Sequence, residues 1–471
     1  MAKIIVGREL EKEKLEASLN SQRSELIAVY GRRRIGKTYL IREFFEGNFV
    51  FQFEGLKDNQ RDAQIKSFML KLRDFTDEFQ DEKPLDWLDA FFILKNYLKT
   101  IRQSKKKKVI FIDEFPWADT QRSGFLSAFE SFWNSYCTTR SDLIVVVCGS
   151  AASYMLKKVI LNRGGLHNRI TRRIHLDPFS LKETKAFFQY KKLAMANSDI
   201  DILRMYMALG GVAEYLEHID PKDSSVNAID RICFQKGAQL QNEFAEVFKS
   251  LFDENSYHEQ VIHALADGQK KGMKRGEILS AMNTTSSGKF SKCLEELILS
   301  GFVQKYDAHR DNRKTTLFRI SDEFCLFHLQ FIRNFRGNSW TKLYQKQEYI
   351  TWSGYAFETI CLKHVEQIKK GLNCDQITSK NFSWSNSEAQ IDLVIDRDDG
   401  YVNLCELKFY NDICTVNKDY YLKLMKKESE YQKATKSRKG MVTTMLTTYG
   451  VSCSTSLDIE NQSLTMDCLF S

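Results

Sequence analysis

The segment Gly31-Arg-Arg-Arg-Ile-Gly36-Lys37-Thr38 constrains this chain more than any other feature. It is entered from an apolar run, Leu26 to Tyr30, and left through an amphipathic stretch, Thr38 to Phe45. The pattern G-x-x-x-x-G-K-[ST] between a buried strand and a helix lets successive backbone N–H groups curl around phosphates, and the helix N-terminus adds favourable potential for negative charge. Gly31, Arg32, Arg33, Arg34, Ile35, Gly36, Lys37, Thr38 and Tyr39 are therefore the candidate nucleotide-binding positions. Lys37 is placed to reach the β- and γ-phosphates of ATP, and the Thr38 hydroxyl to bind Mg²⁺.

A second element completes that chemistry. Val109-Ile-Phe-Ile-Asp113-Glu114 reads as an apolar strand ending in two carboxylates. Set beside the P-loop strand, Asp113 would hold Mg²⁺ and Glu114 would polarise the attacking water, which points to hydrolysis rather than nucleotide binding alone.

With 471 residues the chain is too long for one hydrophobic core, and two to four domains are expected. A 12% aromatic content gives ample material to bury, and the longest apolar runs, such as Leu143 to Cys148, are far shorter than a membrane span. No signal-peptide core precedes Leu10, and the 11 cysteines include no C-x-x-C pair. This is the pattern of reduced thiols in a cytoplasmic, membrane-free protein without a structural zinc site. The net charge of +8 permits nucleic-acid contact without demanding it. From Thr351 onward there are 14 Lys and Arg against 16 Asp and Glu, so the basic excess lies in the first 350 residues. Within that tail, Lys418 to Lys439 holds eight basic against three acidic residues, a run that is ordinarily a solvated helix face. Lys423, Lys426, Lys427 and Lys433 within it offer a local phosphate track.

The first 180 residues alternate apolar runs with helical stretches, the α/β signature. Helical periodicity follows to about Leu251, including Leu181 to Tyr190 and Ile200 to Leu209. Glu259 to Ala266, Arg275 to Met282 and Ser287 to Ser300 then read as three short helices. Phe302 to Tyr306 and Thr316 to Ile320 read as strands around a basic turn, His309 to Lys314. Three helices and a hairpin make a winged-helix layout, in which Lys289 and Lys292 would approach a DNA groove and Arg310, Arg313 and Lys314 would touch phosphate. Such units also serve as lids or protein-contact modules.

After residue 350, Gly354-Tyr-Ala-Phe-Glu358 opens a helix, Gln390-Ile-Asp392-Leu-Val-Ile395 is a strand, and Val402-Asn-Leu-Cys-Glu406-Leu-Lys408 is the next. Glu406 and Lys408, two apart, share a strand face, and hairpin pairing brings Asp392 beside Glu406. The two carboxylates are hard oxygen ligands suited to Mg²⁺, with Lys408 placed to orient or deprotonate a water.

Residues 1 to about 250 resemble the archaeal-type AAA+/STAND-related P-loop ATPases. The resemblance rests on Val6-Gly7-Arg8-Glu9, Tyr30 to Thr38 and Ile112-Asp-Glu-Phe-Pro-Trp117. It implies that Gly7 and Arg8 border the adenine and that Ser150, in Cys148-Gly-Ser150, is a sensor for the γ-phosphate or water. It further implies an arginine finger at Arg169, where Asn168 stands in place of the family's glycine and Arg163 is a rival, and hence a possible homo-oligomer. Gly210-Gly-Val-Ala-Glu-Tyr-Leu216 resembles the family's lid motif, with Ala213 in place of proline. The carboxy-terminal pattern resembles the PD-(D/E)XK nuclease core, which implies Glu358, Asp392 and Glu406 as metal ligands and Glu406 and Lys408 as catalytic residues.

The expected fold is multidomain α/β: a P-loop ATPase core (1–180), a helical lid (181–252), a winged helix with connector (253–345) and a restriction-endonuclease-like domain (346–471). The expected function is Mg²⁺-dependent ATP hydrolysis coupled to DNA binding and metal-dependent DNA cleavage. The alternative is an ATP-driven switch whose nuclease-like domain only binds DNA or a protein.

Overall fold

In the first 178 residues five short runs become strands of one sheet in a computed structural model of the chain. They are β1 (Glu25–Tyr30), β2 (Phe49–Glu54), β3 (Lys108–Asp113), β4 (Leu143–Gly149) and β5 (Arg172–His175), in the order β2-β3-β4-β1-β5 and all parallel. The structure describes residues 4–161, 164–252, 255–268, 272–285, 287–310, 313–335, 339–344, 346–453 and 462–471. Helices cover the faces of a parallel sheet, which is why its inner strands are continuously apolar; every residue of β4 is buried. Alternate residues of the strands share a face. Leu26 and Ala28, Ile110 and Ile112, and Leu143, Val145 and Val147 enter one core with Phe68, Trp87, Phe91 and Phe125 from the helices Arg61–Arg73, Trp87–Thr100 and Phe125–Ser135.

The strand order corrects one expectation. The strand of Asp113 and Glu114 is not beside the P-loop strand: β4 lies between β1 and β3. The reason is visible in burial, since Leu143 to Gly149, the most continuously apolar run, takes the central position.

Residues 179–471 form the second compact unit. It opens with the helix Leu181–Tyr190, started by a capping box in which the Ser180 hydroxyl accepts from the Glu183 N–H and the Glu183 carboxylate accepts from the Ser180 N–H. The helices Asp199–Leu209 and Glu243–Leu251 follow among shorter turns. Three helices, Asn255–Asp267, Arg275–Ala281 and Gly288–Leu299, then lead into an antiparallel hairpin of β6 (Val303–Arg310) and β7 (Arg313–Ile320), with Met273 bridging to Phe318.

The helix Gln347–Lys363 precedes β8 (Ser379–Ser385), β9 (Gln390–Arg397) and β10 (Tyr401–Lys408), which pair antiparallel in sequence. After β11 (Cys414–Val416), the helix Lys418–Thr435 carries the chain over to β12 (Gly440–Thr447), parallel to β10; β13 (Val451–Cys453) pairs with β11, and β14 (Leu464–Thr465) adds to β12. Parallel pairing requires such a crossover, and the Asn417 side chain caps its helix by accepting from the Tyr420 N–H.

The hairpin is continuous with this sheet, in the order β14-β12-β10-β9-β8-β6-β7. β6 runs parallel to β8 through Ala308, His309 and Arg310, and the His309 ring stacks on Phe382 at 4.3 Å. That extra ladder lengthens both hairpin strands, so His309, Arg310, Arg313 and Lys314 lie in strands rather than in the broad basic turn expected from the sequence. Among the described residues no helix is long and apolar enough to cross a membrane.

Candidate functional site

The P-loop is built from backbone that tolerates few side chains. Gly31 has φ +147°, and a Cβ there would stand 2.1 Å from the Leu176 carbonyl oxygen. Arg34 and Gly36 also take positive φ, turning the loop so that the helix Lys37–Phe44 starts at its end. Lys37 is buried, and its ammonium donates to the Arg32 carbonyl at 2.7 Å, closing the loop on itself. Ile35 is buried, Arg33 lies over the Trp117 ring at 5.8 Å, and Tyr39 is exposed, its hydroxyl 3.4 Å from the Ile4 carbonyl.

Arg8 belongs to the same construction. Gly7 and Arg8 both have positive φ ahead of the helix Glu9–Leu19. The buried Arg8 guanidinium donates to the Asp177 carbonyl at 2.8 Å and to the Ile35 carbonyl at 3.3 Å. It thus fastens the amino-terminal segment to the loop.

The Thr38 hydroxyl donates to the Asp113 carboxylate at 2.6 Å. These are two hard oxygen donors at the mouth of a loop rich in backbone N–H groups, a set that fits Mg²⁺ with a nucleoside triphosphate. Glu114, in the left-handed region with φ 41°, turns back from β3. Its carboxylate accepts from the Ser150 hydroxyl at 2.9 Å and from the Ser150 N–H at 3.4 Å. Burial pushes the Glu114 carboxyl up from its ordinary range; Lys37 opposes that, Asp113 adds to it, and the Ser150 bonds oppose it. Ser150, expected to be a sensor for the γ-phosphate or water, is buried and its hydroxyl donates to Glu114. Arg169 is exposed in the turn before β5, and its guanidinium makes no hydrogen bond or ion pair among the described residues; Arg163 lies outside them.

A second cluster forms on β9 and β10. Asp392 and Glu406 are buried. The Lys408 ammonium stands 3.4 Å from Asp392 Oδ2 and 2.9 Å from Glu406 Oε1, so all three share a face of the sheet. Burial works against the Lys408 charge, but the two carboxylates outweigh it and hold its pKa above the usual lysine range. A fourth member was not assigned to this site from the sequence. Lys427, on the helix Lys418–Thr435, donates to Glu406 Oε2 at 2.5 Å. The sequence placed it in the expected phosphate track and gave no sign of its pairing with Glu406.

Two carboxylates and two ammonium groups leave this cluster neutral. Among the described residues no group of three or more His, Cys, Asp or Glu side chains is arranged to hold a metal ion. In the expected phosphate track, Lys426 pairs with Glu388 at 2.9 Å and Lys433 with Glu430 at 3.1 Å, while Lys423 is exposed. On the hairpin, Lys314 pairs with Asp307 at 2.8 Å. Lys289 lies over the Tyr257 ring at 4.7 Å, and Lys292 is an exposed partner of Glu296 at 3.9 Å.

Residues 5–219 match the family described as "ATPase domain predominantly from Archaea". "Uncharacterized protein MJECL04" of Methanocaldococcus jannaschii is 26% identical over 440 residues, 89% of this chain and 92% of that protein. "Uncharacterized ATP-binding protein MJ0423" of the same organism is 49% identical over 47 residues, 10% of this chain and 80% of that protein. Among solved structures, the Walker-type ATPase PABY2304 of Pyrococcus abyssi has a TM-score of 0.48 at 18% identity, covering 69% of this chain and 96% of that one. The Aeropyrum pernix ORC2 protein has a TM-score of 0.43 at 16% identity, covering 71% and 96%.

Proposed function

We propose that the chain, an ATP hydrolase through its archaeal-type ATPase domain, is an Mg²⁺-dependent, nucleotide-driven switch that acts on DNA in the cytoplasm. In this reading residues 181–252 are a lid, 253–345 a winged helix with its connector, and 346–471 a domain of the PD-(D/E)XK type that engages DNA or a protein without cutting. The three helices before the β6–β7 hairpin, and the helix, three strands, crossover helix and parallel strand after it, support those assignments. The basic excess of the first 350 residues supports DNA as the partner.

In the ATPase, the N–H groups of 31–38 receive the phosphates, and Lys37 exchanges the Arg32 carbonyl for phosphate oxygens. Thr38 and Asp113 would hold Mg²⁺, which would offset phosphate charge. Glu114 takes the proton of the attacking water once its carboxylate leaves Ser150. Arg169, exposed, is available to a neighbouring copy, which supports a homo-oligomer.

The observation that carries the switch reading is the neutral cluster of Asp392, Glu406, Lys408 and Lys427: both carboxylates are already met by ammonium groups. A second reading, metal-dependent DNA cleavage, is favoured by the convergence of Asp392, Glu406 and Lys408 on one face. Incubating the full chain with linear, circular and single-stranded DNA, with Mg²⁺ or Mn²⁺ and with or without ATP, separates the two. ATP-dependent binding without cleavage supports the switch, and cleavage lost in Lys408→Ala establishes the nuclease.

A further inference from the structure

A cavity of about 600 Å³ lies within the second unit, between the end of the helix Asn255–Asp267, β7, residues 333–335, 339, 342, 343 and 346, and the helix Gln347–Lys363. We propose that it is a second ligand site, separate from the P-loop, that takes a phosphate ester of nucleotide size with its phosphate on Arg319.

Arg319, near the end of β7, lines the cavity and is only 7% exposed. Its Nε and one terminal nitrogen donate to the same neutral acceptor, Gln304 Oε1, at 3.1 and 2.6 Å, and its cation rests 4.8 Å from the centre of the Tyr306 ring. Among the described residues no carboxylate stands within ion-pair distance of it. Burial pulls its pKa down, and the fields of Tyr306 and Glu358 only partly offset this. A guanidinium stays charged nonetheless, so a buried one with neutral partners carries an uncompensated desolvation cost that an anion in the cavity would offset. Its planar fork matches phosphate oxygens.

The surroundings favour an anion of this size. Lys342 and Lys346 stand exposed at the lining, and their ammonium groups make no hydrogen bond or ion pair among the described residues. The two carboxylates of the lining are engaged: Glu348 accepts from Gln330 at 3.0 Å, and Asp267 meets Arg333 at 3.5 Å. The volume lies in the range of small-molecule sites and far exceeds one phosphate ion. Phe335 and Tyr355, partly exposed in the lining, offer faces for a flat base. The phosphate ester has two sources, a free mononucleotide and the phosphorylated end of a nucleic-acid strand.

The test uses the full chain carrying Lys37→Ala, so that the P-loop does not dominate binding. Calorimetric titrations are run with AMP, with a 5′-phosphorylated thymidine tetranucleotide and with the same oligonucleotide lacking the phosphate. One site per chain is expected for at least one phosphorylated probe, and none for the unphosphorylated strand. Tighter AMP identifies the free nucleotide as the source; a tighter tetranucleotide identifies the strand end. Arg319→Gln should weaken binding at least about tenfold, without lowering the melting temperature of the unliganded protein. The exposed pair Lys342→Ser/Lys346→Ser should weaken it several-fold and serves as the deciding variant if Arg319→Gln does not fold. No binding of either phosphorylated probe, or affinity unchanged in these variants, overturns the proposal.

Discussion

The Thr38 hydroxyl donates to the Asp113 carboxylate across 2.6 Å although the strands that lead to them are separated by a third. The sheet twist and the P-loop turn bring the two oxygens together at the carboxyl ends of β1 and β3, the edge where ligands bind in open α/β sheets. Removing either donor should therefore disable hydrolysis while leaving the fold intact. Thr38→Ala and Asp113→Asn are each expected to lower turnover about 10²-fold or more, read as phosphate release at saturating ATP and Mg²⁺. Chelating divalent ions should have the same effect on the unaltered chain. A rate within a few-fold of the unaltered chain in Asp113→Asn would remove that carboxylate from the site.

In the proposed mechanism Glu114 is the base, and the pH dependence expected of it follows from its surroundings. Burial raises its pKa, with Asp113 adding to the rise and Lys37 and Ser150 opposing it. The working form is the carboxylate, so turnover falls as pH drops through this raised value. Ser150→Ala removes a hydroxyl that stabilises the carboxylate, which raises the pKa further and moves the acid limb of the kcat profile to higher pH. Glu114→Gln should bind ATP and lose turnover at every pH. An acid limb at the same pH in Ser150→Ala would show that the limb belongs to another group.

The nucleotide site was legible because its chemistry is written in consecutive residues. Gly31 to Thr38 and Asp113-Glu114 each carry their own strand context, and the fold brings Thr38 and Asp113 within 2.6 Å. What stayed hidden was relational. β5, Arg172 to His175, has no apolar run to betray it; it is recruited to the sheet edge by pairing with Ile27 to Tyr30. The union of the β6–β7 hairpin with β8 depends on three residue pairs between segments some 75 positions apart, which no local periodicity records. Ser150 was legible as a polar residue at a strand end, but its partner was decided by the left-handed turn at Glu114. Lys426, Lys427 and Lys439 showed as charge, while their carboxylate partners Glu388 before β9, Glu406 on β10 and Asp396 on β9 did not.

The Gly210-Gly211 segment offers a stability test. A Cβ on Gly211 would lie 1.9 Å from the Phe179 carbonyl oxygen, and the Phe179 N–H is bonded to the Gly211 carbonyl at 2.7 Å. The Phe179 carbonyl also accepts from the Tyr206 hydroxyl at 2.8 Å, so this backbone is held from two sides and cannot simply step aside. Gly211→Ala should cost about 1–3 kcal/mol or more, measured by urea unfolding. Gly276→Ala, in a helix where a Cβ meets nothing within 4 Å, should be neutral or slightly stabilising.

Lys427 stands where its charge would oppose a cation at the carboxy-terminal cluster. With Lys408 between Asp392 and Glu406 and Lys427 on the far oxygen of Glu406, the four charges cancel, and a divalent cation gains little by approaching. Lys427→Gln removes one positive charge from beside a buried carboxylate and frees an oxygen that is now occupied. The site should then carry net negative potential, and Mn²⁺ affinity measured in the Lys37→Ala background should rise about tenfold, or ~1.4 kcal/mol. Adding Asp392→Asn to Lys427→Gln should cancel the gain, which distinguishes this cluster from any other metal contact. If instead Lys427→Gln leaves Mn²⁺ affinity unchanged, the lysine is a packing partner of the crossover helix and the carboxylates are balanced by Lys408 alone. Cleavage of DNA that appears only in Lys427→Gln would mean that the nuclease-type face is intact and that this single ammonium group keeps it silent.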